Sequence, residues 1–457
     1  MTTILLAPFA AIVAAVSWFA RASLAARIAW IVALFQVVVV LLAVIVVLGT
    51  GDRAVIQAWW SPGKEVALLL LLVLVPGLVY QAARLWLEHQ GGRWPDIAAA
   101  WSAAVTELDR QQISLTESPL FLVLGTNGGE SERALFTETP TPLVVNQSPA
   151  GGGPLHFFAS REAIFLCVSG AGQTAVAESG GDHSAAGSGT LPRSGKERRE
   201  ATDRLEFACD QLRQARSPMA AVNGVVVLLP LQINDTADAE AASLGQAVGE
   251  DLATITRVLG VRAPVTLVAG VLQDDPAIDD LLSLLDAGKR AAACGQPFPP
   301  GLPPTPEHLH ALALNATGSL NDRLAELLLD SRRIAQQPAN RHLLAMLGRL
   351  RLHLSTQLAR VLQQAFSPTL HGGVDGRRCV LPLLAGCYVA SISGTPSRQA
   401  YVRGLLDSVV QMQGELDWTD ESLRAEAWAG RVSRILFTAA AVMATAIVGI
   451  VWWRMSQ

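Results

Sequence analysis

Residues 28–48 (IAWIVALFQVVVVLLAVIVVL) run 21 positions without a charge, and residues 435–453 (ILFTAAAVMATAIVGIVWW) run 19. At about 1.5 Å of rise per residue, a helix of either length crosses a hydrocarbon layer of roughly 30 Å. Two further apolar runs precede the body of the chain. Residues 4–20 form a marginal span, for which an interfacial helix is the alternative, and residues 66–86 form a third run. The expectation is an amino-terminal transmembrane region over 1–87, with spans at about 4–20, 28–48 and 66–86, and a carboxy-terminal transmembrane helix at 435–453. Arg21, Arg27, Arg84, Arg93, Arg431 and Arg434 lie at the span ends expected to face inward, which predicts a multi-pass protein of a bacterial inner membrane with its main body cytoplasmic.

Charged residues make up 16% of the 457, and the formal net charge is -4. No Lys/Arg stripe is present and aromatics are 6%, which argues against a nucleic-acid partner. The five cysteines, Cys167, Cys209, Cys294, Cys379 and Cys387, show no CxxC or Cys/His spacing, so no metal site is expected and they read as reduced thiols. The acids Asp274, Asp275, Asp279 and Asp280 lack the glycine and terminal glutamate of a calcium loop. His308 and His310, beside Glu307, are two residues apart and do not share a helix face. Arg332, Arg333, Arg349 and Arg351 read as exposed partners for Glu326 and Asp330 or for another protein.

Between 118 and 275, short apolar runs alternate with helical periodicity. Residues 120–124 (LFLVL), 163–168 (AIFLCV), 224–229 (GVVVLL) and 265–268 (VTLV) have strand length and are apolar on both faces, as strands in a buried parallel sheet are. Helical patterns occupy 196–216 and 241–259. Strand and helix in alternation predict a doubly wound, P-loop-NTPase-like α/β domain over 88–292. Residues 173–197 read as a disordered insert and 137–154 as a Pro/Gly loop. A Pro-rich linker over 293–306 then leads to a helical subdomain over 307–430, with helical segments at 308–314, 320–334 and 341–366 and an apolar run of uncertain type at 380–389.

The candidate site is a glycine-rich turn that directly follows the first strand, Gly125-Thr-Asn-Gly-Gly-Glu-Ser-Glu132. A working P-loop cradles phosphates with backbone N–H groups, reaches them with a Lys and holds Mg²⁺ with a Ser or Thr. Gly125, Gly128 and Gly129 are in place, but no Lys follows. Without a gap, Glu130, Ser131 and Glu132 fill the last three motif positions; with one deletion, Glu130 takes the Lys place and Ser131 the hydroxyl place. Either register predicts a carboxylate near the phosphates, and one unit charge at 4 Å is worth about 4 kcal/mol at an effective dielectric of 20. The turn is therefore expected to hold no nucleotide cofactor and to support no catalysis.

The order of these pieces resembles the IcmF/TssM family of type VI secretion. The family's P-W-Y-L-V-L-G strand is similar to Ser118-Pro-Leu-Phe-Leu-Val-Leu-Gly125, and its E-A-V-L-I-D-T-A-G to Glu162-Ala-Ile-Phe-Leu-Cys-Val-Ser-Gly170. N-G-V-I-V is similar to Asn223-Gly-Val-Val-Val227, and L-G-V-R-x-P-V-Y-V-L to Leu259-Gly-Val-Arg-Ala-Pro-Val-Thr-Leu-Val268. Looser likenesses are Arg323-Leu-Ala-Glu326 and Ala385-Gly-Cys-Tyr-Val-Ala-Ser391. The metal-side Asp of the family is Cys167 here, and its base-reading T-K-x-D is Gly270-Val-Leu-Gln273. The resemblance implies a short, non-hydrolysing scaffold of a secretion membrane complex, anchored in the lipid bilayer and docking inner-membrane and baseplate proteins, with homo-oligomerisation open. The family's periplasmic domain has no counterpart before Gln457. Two alternatives stand beside it: an active membrane NTPase with atypical phosphate contacts, and a membrane adaptor unrelated to secretion.

Overall fold

Leu120–Leu124 (β1), Ile164–Cys167 (β4), Gly224–Leu229 (β5) and Pro264–Ala269 (β7) lie side by side as parallel strands, every residue of each buried. Covered on both faces, such strands carry apolar side chains at successive positions. The protein is described by a computed structural model over residues 29–33, 35–36, 40, 71–72, 74–82, 93–126, 128–178, 195–231, 237–270, 277–329, 339–367, 381–428, 431 and 434. Two units emerge, 1–95 with 430–457, and 96–429.

In the second unit the remaining strands are Val145–Ser148 (β2), His156–Ala159 (β3), Val261–Arg262 (β6), Gly295–Pro297 (β8), Leu383–Val389 (β9) and Asp417–Trp418 (β10). Among the described residues the main sheet has eight strands in the order β2-β3-β4-β1-β5-β7-β9-β8, and β10 pairs with β6 in a separate ribbon. From β4 to β9 all neighbours are parallel, with β2 and β3 antiparallel at one edge and β8 at the other. From β1 the chain moves outward to β4, then crosses back to β5 on the other side. That reversal makes the carboxyl ends of β1 and β4 the switch point, where a doubly wound sheet opens its ligand crevice.

The helices are Pro95–Arg110 (α1), Gly129–Leu135 (α2), Gln173–Glu178 (α3), Gly195–Arg216 (α4), Ala237–Leu259 (α5), Ala277–Leu284 (α6), Ala287–Ala291 (α7), Pro306–Leu329 (α8), Ala339–Arg349 (α9), Ser355–Ala365 (α10) and Val402–Gln411 (α11). Phe157 and Phe158 on β3 show how the two faces are covered, since neighbouring residues of a strand point to opposite sides. Phe157 meets Trp101 of α1 edge-on at 5.4 Å, while Phe158 stacks at 4.5 Å on Phe136, which ends α2. Leu205, Ala208, Cys209 and Leu212 form the buried stripe of α4, and Val248, Leu252 and Ile255 that of α5.

Several expectations change here. Gln173–Glu178 of the insert expected to be disordered is helical and packed against α5, and the insert's last residues open α4; residues 179–194 lie outside the described residues. The Pro/Gly loop contributes β2, and the Pro-rich stretch contributes edge strand β8. Residues 297–304 then wall an open, mainly apolar cleft of about 600 Å³ with Leu381, Pro382 and Met412. Of the apolar run 380–389, Leu383–Val389 resolves as strand β9, inside the sheet, and Val380 lies outside the described residues.

In the first unit, helical residues occur at 29–33, 35–36, 40, 71–72 and 74–82. Among the described residues no helix is long and apolar enough to cross a membrane. The transmembrane helices of the expected fold, and the multi-pass inner-membrane localisation built on them, are corrected accordingly. The other residues of the runs 4–20, 28–48, 66–86 and 435–453 lie outside the described residues.

Candidate functional site

The glycine-rich turn sits at the switch point, between the end of β1 and the first turn of α2. Gly125 leaves the strand at φ 74, and a Cβ there would stand 2.2 Å from the Leu228 carbonyl oxygen of β5. Only glycine fits both the left-handed backbone and that approach. Gly128, at φ 97, caps α2 without a side-chain bond, Gly129 begins the helix, and Glu130 is exposed. Ser131 donates its hydroxyl to the Gly128 carbonyl at 3.0 Å. Arg133, the one cation of the turn, donates back to the Gly129 carbonyl at 3.1 Å.

Glu132 is the residue that turns inward. Its side chain and that of His156 on β3 are fully buried, with Glu132 Oε2 2.5 Å from His156 Nδ1. Neither atom has another hydrogen-bond partner. Thr126 Oγ1 donates to the other carboxylate oxygen at 3.1 Å, and His156 Nε2 lies 2.9 Å from the Gly151 carbonyl. Gln147 closes the arrangement. Held at φ 58, it donates Nε2 to Gly151 at 2.9 Å and lies 2.3 Å from where a Cβ of Gly129 would be. At the far end of α2, buried Gln399 donates to the Ala134 carbonyl at 2.9 Å. The turn is thus braced by its own chain at both ends.

Cys167, at the position of the metal-side acid, is buried on β4, and burial, reinforced by the Glu132 charge, pushes its thiol well above the ordinary range. Cys209, Cys294 and Cys387 are likewise buried free thiols raised by desolvation, Cys387 to about 12. Of the T-K-x-D counterpart, Gly270 follows β7, and 271–273 lie outside the described residues. Asp279 pairs with Arg398 at 2.8 Å and Asp280 with His342 at 3.1 Å, so these acids tie α6 to neighbouring segments; Asp274 and Asp275 lie outside the described residues. Glu326 pairs with Lys289 at 2.8 Å, while Asp330, Arg332 and Arg333 lie outside the described residues. His308 Nδ1 donates to the Pro303 carbonyl, 2.9 Å away. Among the described residues no group of three metal-ligating side chains assembles.

Sequence reasoning missed one buried acid altogether. Asp251, on α5, accepts from the backbone N–H of Gln173 at 2.7 Å and of Thr174 at 2.8 Å, and from the Thr174 hydroxyl at 2.6 Å. It caps α3 and fastens the loop that leaves β4. The visible signal was an acid on the apolar stripe Val248, Leu252, Ile255. Desolvation outweighs the three donors and lifts its carboxyl from 3.8 to about 6. Since the folded state holds this proton more tightly than the unfolded chain, stability falls as pH rises from about 4 to about 6, then levels. At 1.36 kcal/mol per pH unit the rise is worth about 3 kcal/mol. Asp251→Asn is expected to flatten this slope in urea titrations between pH 4 and 7; an unchanged slope would assign it to other groups.

A family model described as the IcmF-related N-terminal domain matches residues 199–391, from within α4 to just past β9. Residues 199–391 are thus similar to an IcmF-related N-terminal domain. That match bears out the resemblance to the IcmF/TssM family. The motifs at 223–227, 259–268, 323–326 and 385–391 fall inside it, whereas the glycine-rich turn and His156 precede it. No curated protein and no solved structure matches the chain. An IcmF-related domain suggests a component of a type VI or other IcmF-type secretion system and, in general, a partnership within a secretion complex.

Proposed function

We propose that this chain is a non-hydrolysing structural component of a type VI-like secretion complex, whose NTPase-like domain serves as a shape that holds partner proteins. The observation that carries the reading is the self-occupied turn. In place of a Lys and a metal-binding hydroxyl there is a buried Glu132–His156 pair, with the Gln147 amide against the first residue of the helix. A triphosphate brings several negative charges, and the one cation of the turn, Arg133, directs its Nε back to the Gly129 carbonyl of its own helix. Cys167, uncharged at neutral pH, does not replace a metal-holding carboxylate.

Isothermal calorimetry of the full chain with Mg-ATP and Mg-GTP tests the reading. No saturable heat is expected at about 1 mM nucleotide, corresponding to a binding free energy weaker than about -4 kcal/mol. Micromolar affinity, or turnover of either nucleotide, would overturn it. Glu130→Lys alone is expected to leave the result unchanged, because Glu130 points to solvent while the Gln147 amide and Cys167 stay in place.

A further inference from the structure

Residues 339–365 contain four arginines and two histidines but no Asp or Glu. Leu343, Met346, Leu350, Leu354, Leu358 and Leu362 turn inward and are fully buried. The outer face carries Arg341, Leu344, Gly348, Arg351 and Leu352, positions that return at three- and four-residue spacing and so form one stripe about 16 Å long. Leu344 is 56% exposed and Leu352 71%, and Arg341 and Arg351 are exposed beside them. Between the two leucines, Gly348 leaves a gap: a Cβ there would meet nothing within 4 Å. A π-turn over Leu350–Leu354 widens the helix inside this stripe, a feature found often at functional sites.

An isolated exposed leucine is ordinary. Two leucines flanking an open glycine, set between arginines on a segment without an acid, form a hole with a basic rim. We propose that this face docks an amphipathic acidic helix of a partner protein, an apolar side chain seating over Gly348 between Leu344 and Leu352 while carboxylates meet Arg341 and Arg351. The proposal rests on the scaffold reading and deepens it by naming the partner's chemistry. Knob-into-hole packing supplies register, and the flanking charges supply orientation and speed of encounter.

The test is fluorescence anisotropy of the full chain with a labelled synthetic helix of three Glu-Leu-Ala-Glu-Leu-Glu-Ala heptads. A lysine-for-glutamate version serves as control, and phosphatidylglycerol vesicles form a third arm. Saturable binding of the acidic helix alone is expected, weakening with salt. Gly348→Leu fills the hole and is expected to weaken binding about tenfold or more while leaving the fold intact, since leucine is the better helix former. Arg341→Glu with Arg351→Glu is expected to weaken the acidic helix to a similar extent and to admit the lysine version. Absence of acidic-helix binding, equal binding of both helices, indifference to Gly348→Leu, or capture by vesicles without the acidic helix would each overturn the proposal. None of these outcomes alters the nucleotide calorimetry, so the two readings fail separately.

Discussion

His156→Ala is expected to destabilise the protein by about 3–5 kcal/mol, because it strands the Glu132 carboxylate in the interior with only the Thr126 hydroxyl as partner. The loss is not the worth of the pair. A buried pair recovers in mutual contact roughly what its members lost in hydration, and the large penalty appears only when one is left behind. The replacement of both by apolar residues of similar volume separates these terms. Glu132→Leu with His156→Leu is expected to lose less than half as much as His156→Ala alone. Urea unfolding of the full chain at neutral pH measures both. A single variant within about 0.5 kcal/mol of the parent, the range of an ordinary surface change, would mean that the pair is not closed off from water.

What the sequence made legible follows from burial. β1 and β5 match their apolar runs residue for residue, and β7 exceeds its run by one residue at each end. Strands covered on both faces must be apolar at every position, so their pattern needs no partner to be read. The edge strands are different. Asn-Gln-Ser after Val145 in β2 and Gly-Gln-Pro of β8 are poor strand formers, and become strands because β3 and β9 offer them a ladder. Helix α8 shows the opposite error. Asn315, Thr317 and Gly318 look like a break, yet Ala313, Ala316 and Leu320 are buried and the Thr317 hydroxyl returns to the Ala313 carbonyl at 2.8 Å, so one helix runs through. At the site, the glycine-rich turn was plain from its spacing, while the buried partner of Glu132 lies 24 residues beyond it and was marked only by a histidine in the apolar run Leu155–Ala159. The repulsion expected of the carboxylates is also redistributed: Glu130 faces solvent, and Glu132 is turned to the sheet, where His156 and Thr126 meet it.

Asp251→Ala is expected to cost about 2–3 kcal/mol, with the damage confined to the loop and short helix after β4. The aspartate is the sole acceptor shown for the Gln173 and Thr174 N–H groups, and a buried donor left without an acceptor carries about 1–3 kcal/mol. A six-residue helix cannot supply that from its own packing, since helices so short are unstable in isolation. Release of α3 into water is therefore the cheaper response, and it limits the total. Amide hydrogen exchange reads this directly: protection at 173–178 should disappear while β1, β5 and β7 keep theirs. Loss of protection across the whole sheet would place Asp251 in the cooperative core, and retained protection at 173–178 would mean that α3 is held by contacts other than this carboxylate. Because α3 leaves the switch point from β4 while α2 leaves it from β1, its release would loosen the β4 side of the crevice. Calorimetry of the Asp251→Ala variant with Mg-ATP then asks whether closure of this crevice depends on the loop after β4 or on the Glu132–His156 side alone. The absence of the Lys and of a metal-holding acid predicts that the nucleotide still fails to bind.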